Sequence, residues 1–107
     1  MAVQPIEPAE LKRRLEAGEE LVLLDVREPD EVAICRIGGS LNVPMSEITA
    51  RLAELDPDRP TVCICHHGIR SANIAAALER LEFDELYNLA GGIDRWAEEV
   101  EPSMGRY

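Results

Sequence analysis

Short apolar runs alternate with amphipathic stretches along the whole chain. Leu21 to Val26 is a continuous apolar run interrupted only by Asp25, the pattern of a parallel strand covered on both faces. Thr61 to Cys65, introduced by Pro60, repeats that pattern, and Glu85 to Leu89 is a third buried strand. Ser40 to Val43 is a brief extended segment closed by Pro44. Between these runs the spacing changes to that of helices. Pro8 suits the first turn of a helix running to about Ala17, with Leu11 and Leu15 on one face and Gly18 placed to end it. Pro29 starts a short helix or turn. Ile48, Leu52 and Leu55 recur at helical spacing and predict a helix over Ser46 to Leu55. The alanine-rich stretch Arg70 to Leu81 is a further helix. Gly91 and Gly92 open a last one that contains Ile93, Trp96 and Val100. Strand and helix in alternation with short connections predict a parallel α/β sheet with helices on both faces. In such sheets ligands bind beyond the carboxyl ends of the strands, here after Asp25, after Cys65 and after Leu89.

The chain has 107 residues, the size of one domain with one core, and no internal repeat or linker divides it. The segment 101–107, with Pro102 and Gly105, reads as a loosely ordered tail. Acidic residues number 21 against 11 basic ones, of which only Lys12 is a lysine, and the net charge is −10. A body this acidic repels phosphate backbones and anionic lipids, which argues against nucleic-acid and membrane partners. An anionic substrate would have to be drawn in by a local positive site. No apolar run approaches the roughly 20 residues of a transmembrane helix, and no basic-then-apolar leader pattern stands at Met1 to Glu10. A cytoplasmic location is the expectation. Three cysteines, Cys35, Cys63 and Cys65, make no disulfide framework.

The chemistry concentrates in Cys65-His66-His67-Gly68-Ile69-Arg70-Ser71, where a buried strand ends at the thiol and a helix begins five or six residues later. Gly68 permits a tight loop whose amides turn inward. A nest of amides backed by a helix N-terminus favours negative charge, and Arg70 and the two histidines can add positive charge nearby. Cys65 is thereby expected to be a thiolate near neutral pH and a nucleophile. A cysteine at a strand end is also often plain apolar filler. That reading fits Cys63, inside the strand, better than Cys65. Cys-x-Cys-His-His could be read as metal ligands, but zinc sites usually need a second pair from elsewhere in the chain, and none exists here. His66 and His67 fit equally well as pocket-mouth donors or as loop residues facing outward.

The loop resembles the active-site loop of rhodanese-like sulfurtransferases, and three other segments agree in order and spacing. Leu24-Asp25-Val26-Arg27-Glu28 resembles the Asp-x-Arg motif of that family. Ile37-Gly38-Gly39-Ser40-Leu41-Asn42-Val43-Pro44 is similar to its His-Ile-x-Gly-Ala-x-Asn-Ile-Pro stretch, and Asn88 to Trp96 to its closing Leu-x-Gly-Gly-x-x-x-Trp motif. The family commonly has Gly-His where this chain has Cys35-Arg36. Cys35 is then either a tolerated cysteine or, in a sharper reading, a second thiol able to resolve a persulfide on Cys65. The resemblance implies a five-stranded parallel sheet flanked by helices and a mechanism without cofactor or metal. It implies that Cys65 takes the outer sulfur of thiosulfate or another persulfide donor and passes it to a thiophilic acceptor such as cyanide, a dithiol or a protein thiol. His66, His67, Gly68, Ile69 and Arg70 would form the substrate loop, with Arg70 binding the anionic donor. Asp25 and Arg27 would support that loop, Gly91 and Gly92 would be backbone devices, and Trp96 a core anchor. A monomer or weak dimer is expected. Three alternatives share the fold: a persulfide carrier serving a biosynthetic partner, a phosphatase, and a non-catalytic interaction module. Phosphatases of this fold have Cys-x5-Arg, whereas Cys65 and Arg70 are separated by four residues, which leaves less room for a phosphate.

Overall fold

A computed structural model describes residues 3–107. Its elements run in the order β1 (Gln4–Ile6), α1 (Pro8–Glu16), β2 (Val22–Asp25), α2 (Pro29–Ile34), β3 (Leu41–Asn42), β4 (Thr61–Ile64), α3 (Ile69–Arg80), β5 (Leu86–Leu89) and α4 (Gly92–Glu99). The five strands form one parallel sheet in the order β1-β5-β4-β2-β3. β4 is central, with Leu24 opposite Cys63 on one side and Asn88 opposite Cys63 on the other.

Successive residues of a strand face opposite sides of the sheet, and the two sides bury separate sets of side chains. Leu24, Cys63 and Cys65 pack with Ile74, Ala75 and Leu78 of α3. Leu23, Val62 and Ile64 pack with Leu11 of α1 and Ile93 and Trp96 of α4. This double coverage is why β2 and β4 read as continuous apolar runs. It also sorts the cysteines. Cys63 and Cys65 face α3, whereas Cys35 is buried with the opposite set. The reading of Cys35 as a resolving thiol for Cys65 therefore has no geometric support.

Two elements differ from the sequence reading. β1 was not anticipated, because three residues with a proline between Gln4 and Ile6 carry no strand period, and only pairing with β5 makes them a strand. The helix expected over Ser46 to Leu55 is instead two short 3-10 turns, Met45–Glu47 and Leu52–Glu54, linked by turn. Their ends close with tight bonds, Glu47 N–H to Pro44 O at 2.7 Å and Leu55 N–H to Leu52 O at 3.0 Å. β-Branched Ile48 and Thr49 are weak helix formers. The segment buries only Ile48 and Leu55 fully, too little apolar surface to stabilise a regular helix between Pro44 and Pro57.

Segment 101–107 folds back over the body. Arg106 pairs with Asp94 at 2.8 Å, and the Tyr107 ring stacks on His66 with centroids 3.9 Å apart.

Candidate active site

β4 delivers Cys65 to the carboxyl edge of the sheet, and Gly68 turns the chain into α3. Gly68 has φ of +98°, a conformation open to glycine and costly for other residues. Its N–H donates to Cys65 Sγ at 3.0 Å. The backbone of the loop is clamped from the other side by α4, whose Ile93 and Asp94 amides donate to the Cys65 and His66 carbonyls at 2.8 and 3.1 Å. Gly92 makes this approach possible. A Cβ there would overlap the His66 carbonyl group. Gly92 is thus a backbone device whose target is the cysteine loop, whereas a Cβ on Gly91 would meet the Arg95 side chain.

Of the inward amides expected from the sequence, one, the Gly68 N–H, donates to sulfur. The second group on sulfur is a side chain, Ser71 Oγ at 3.2 Å, fully buried in the first turn of α3. Ser71 Oγ also lies 2.5 Å from Asn88 Oδ1, while Asn88 Nδ2 donates to Gly68 O at 2.9 Å. The Ser71 hydroxyl thus has one proton and two acceptors. With Cys65 as a thiol, S–H can donate to Ser71 and Ser71 to Asn88. With Cys65 as a thiolate, the hydroxyl can turn its proton to sulfur. Ser71 and Asn88 stand inside the recognised motifs, yet nothing in their spacing revealed this contact.

Cys65 is 1% exposed and forms the floor of a surface cavity of about 310 Å³ lined also by His66, His67, Ile69 and Arg70. They are four of the five residues expected to form the substrate loop, and the fifth, Gly68, makes the turn beneath them. Ile69, 74% exposed, is an apolar rim. The His66 and His67 rings lie 3.9 Å apart. Burial, with His67 close by, holds His66 below the usual imidazole range and so disfavours its charged form. Burial pushes the Cys63 thiol up to about 12, and the neighbouring Cys65 adds to this. Cys63 is core filler, as its place in the strand predicted.

Arg70, expected to bind the anionic donor, lines the cavity with its guanidinium already engaged by a carboxylate. Its guanidinium makes a two-pronged ion pair with Glu31 of α2, Nη1 to Oε2 at 2.8 Å and Nη2 to Oε1 at 2.7 Å. Arg70 lowers the Glu31 carboxyl to about 2, and Glu31 raises Arg70 in turn. Asp25 and Arg27 do form a buried ion pair, with Nη2 to Oδ2 at 2.6 Å and Nε to Oδ1 at 2.9 Å. The remaining donors of Arg27 reach Cys35 O, Glu31 O and Tyr107 Oη, not residues 65–70. The connection from this pair to the loop is therefore indirect. It runs from Asp25 and Arg27 through α2 and Tyr107 to Glu31, and from Glu31 to Arg70. Tyr107 Oη donates to Glu31 Oε1 at 2.8 Å. Glu31 and Tyr107 lie far from the loop in sequence and carried no motif that could have pointed to them.

Fold and loop together define a class: a parallel α/β domain covered on both faces, with a buried cysteine at the end of its central strand. The profile of the Rhodanese-like domain matches residues 7–99. This chain belongs to the rhodanese-like domain family. It is 40% identical over 104 residues, 95% of its length, to MoeZ of Mycobacterium tuberculosis, described as an adenylyltransferase/sulfurtransferase, and spans 26% of that protein. It is 32% identical over 93 residues to the thiosulfate sulfurtransferase GlpE of Pseudomonas aeruginosa, covering 87% of this chain and 83% of GlpE. The crystal structure of a rhodanese-related protein from Thermoplasma volcanium superposes with a TM-score of 0.82 at 35% identity, covering 92% of this chain and 95% of that one. Among the described residues no helix is long and apolar enough to cross a membrane.

Proposed function

We propose that the protein is a sulfurtransferase that carries a sulfane sulfur as a persulfide on Cys65. The observation that carries this reading is the sulfur atom itself. It lies on the floor of a cavity with the Gly68 amide and the Ser71 hydroxyl in contact. Both donors favour negative charge on sulfur, which suits a thiolate nucleophile and then an anionic persulfide. With thiosulfate as donor, the thiolate attacks the outer sulfur, the S–S bond of the donor breaks, and sulfite leaves with the bonding electrons. With an organic persulfide the leaving group is a thiolate. Two half-reactions with a covalent intermediate predict ping-pong kinetics.

The second half-reaction follows from burial. Cys65 Sγ is nearly inaccessible, but a persulfide extends outward by about 2 Å, the length of an S–S bond. The outer sulfur then stands in the cavity, where a dithiol, a protein thiol or cyanide can remove it. Exposed Ile69 at the rim suits an acceptor with an apolar surface, so the same loop serves an enzyme or a carrier that hands sulfur to a partner protein. MoeZ, of which this chain spans about a quarter, is described as a sulfurtransferase, in line with sulfur transfer at this loop. Three free thiols fit a reducing compartment such as the cytoplasm.

Intact mass spectrometry after incubation with a sulfur donor tests the reading. Wild type should gain one sulfur atom, a dithiol should remove it, and Cys65→Ser should gain none. Hydrolysis of an aryl phosphate without any sulfur adduct would replace this reading with the phosphatase one.

A further inference from the structure

The Arg70–Glu31 pair bears on which donor the site takes. Arg70 is the one arginine lining the cavity over Cys65, and Glu31 neutralises it through two short charge-assisted bonds. The Glu31 carboxylate is itself saturated. Oε2 accepts from Arg70 Nη1 and from the Glu28 N–H at 2.9 Å, and Oε1 accepts from Arg70 Nη2 and the Tyr107 hydroxyl. Four donors on two oxygens fill the capacity of a carboxylate, so Glu31 is held in place by α2, by α3 and by residue 107 at once. Tyr107 is anchored in turn by Arg27 at 3.1 Å. Of the other lining groups, burial disfavours the charged form of His66 and Ile69 is apolar, which leaves Arg70 as the one fixed cation among them. Around the cavity lies a body of net charge −10.

We propose that Glu31 is a specificity-determining positioning residue that cancels the charge of Arg70, so that the Cys65 site takes its sulfur from organic persulfides in preference to the thiosulfate dianion. The inference rests on the sulfur-transfer reading above and narrows it. The thiolate of Cys65 attacks the outer sulfur of R–S–SH. The donor's S–S bond breaks, R–S⁻ leaves with its electron pair, and the proton stays on the sulfur now bonded to Cys65. Charge is conserved at one negative on each side, and no cation is needed to gather a dianion. Thiosulfate brings two negative charges into the cavity and needs the guanidinium that Glu31 holds.

Single-turnover loading of Cys65, followed by intact mass, compares thiosulfate with the persulfide of 2-mercaptoethanol in wild type and Glu31→Gln. Glutamine retains an oxygen for the Glu28 N–H, so the capping box at the start of α2 survives. Freeing Arg70 should raise the rate constant with thiosulfate about five- to tenfold, the size of one unit-charge contact largely screened by water at the cavity mouth. Loading from the organic persulfide should change less than about twofold by the same reasoning, and this also shows that the variant is folded. Arg70→Ala should slow thiosulfate loading in the Glu31→Gln background and leave it nearly unchanged in wild type. Unchanged thiosulfate loading in Glu31→Gln, with sulfur still reaching Cys65, overturns the role of Glu31 alone. Failure of both donors to add sulfur to wild-type Cys65 overturns the sulfur-transfer reading, and this inference with it.

Discussion

Ser71 holds one hydroxyl proton between Cys65 sulfur and Asn88 oxygen, and its worth to the reaction can be measured. In Ser71→Ala the Cys65 sulfur retains the Gly68 amide and loses the hydroxyl. Loading of sulfur onto Cys65 should slow by about tenfold, less than the loss of a donor to a full oxyanion because sulfur is a weaker acceptor. Asn88 Oδ1 is left without its partner, which costs about 1–3 kcal/mol of stability. Stopped-flow loading and urea unfolding separate the two effects. A loading rate equal to wild type would mean that the hydroxyl serves Asn88 and not sulfur. At this scale Cys65 and Gly68 were legible in the sequence, because a strand end, a glycine and a helix start lie within a few residues of each other. Ser71 was adjacent but its contact was not, since the direction of one side chain depends on Asn88 from another strand.

Among the elements, α2 ties distant parts of the chain together through polar contacts. It has six residues and buries none of them fully. Its stability comes from polar contacts instead. The capping box joins Glu28 and Glu31, Arg27 bonds the Glu31 and Cys35 carbonyls at its end, and Glu31 binds Arg70 of α3. This arrangement makes α2 sensitive to acid. The folded Glu31 carboxyl lies at about 2 against an ordinary 4.5, chiefly because of its bond with Arg70. A carboxyl lowered by folding contributes stability that is complete above pH 4.5 and fades as pH falls from 4.5 towards 2. Urea midpoints across that window should fall more steeply for wild type than for Glu31→Gln, and the two curves should converge at the acid end. Parallel curves would place the pair outside the stability of the fold. The helix expected over Ser46 to Leu55 shows the limit of periodicity at this scale. Three apolar residues at helical spacing were present, but too little buried surface accompanied them.

For the whole molecule, charge is the dominant long-range property. Eleven basic residues stand against 21 acidic ones, and the basic residue at the candidate site is paired with a carboxylate. The field should therefore slow any anionic reagent approaching Cys65. Screening acts over about 10 Å at 0.1 M salt, so the second-order rate of loading by thiosulfate should rise with added sodium chloride, opposite to the behaviour of a positively steered site. Loading by an uncharged alkyl disulfide, used as a control reagent for the thiol, should respond little. A thiosulfate rate that falls with salt would indicate an attractive local field and an Arg70 free enough to supply it.

The sequence by itself determined the alternation of elements, the buried central strands, the cysteine loop and the family, because each depends on residues close together in the chain or on motifs in fixed order. Periods of two and 3.6 and the turn residues between them are local properties. Tertiary structure alone decided three other things. It made Gln4–Ile6 a strand by pairing it with β5. It put Cys35 and Cys65 on opposite faces of the sheet. It brought Glu31, Tyr107 and Arg70 together across 76 residues of chain. An ion pair between distant segments leaves no periodic trace, and its partners are chosen by which elements the sheet sets side by side. The loop around Cys65 was therefore readable in advance, while the charge that loop presents to a substrate was not.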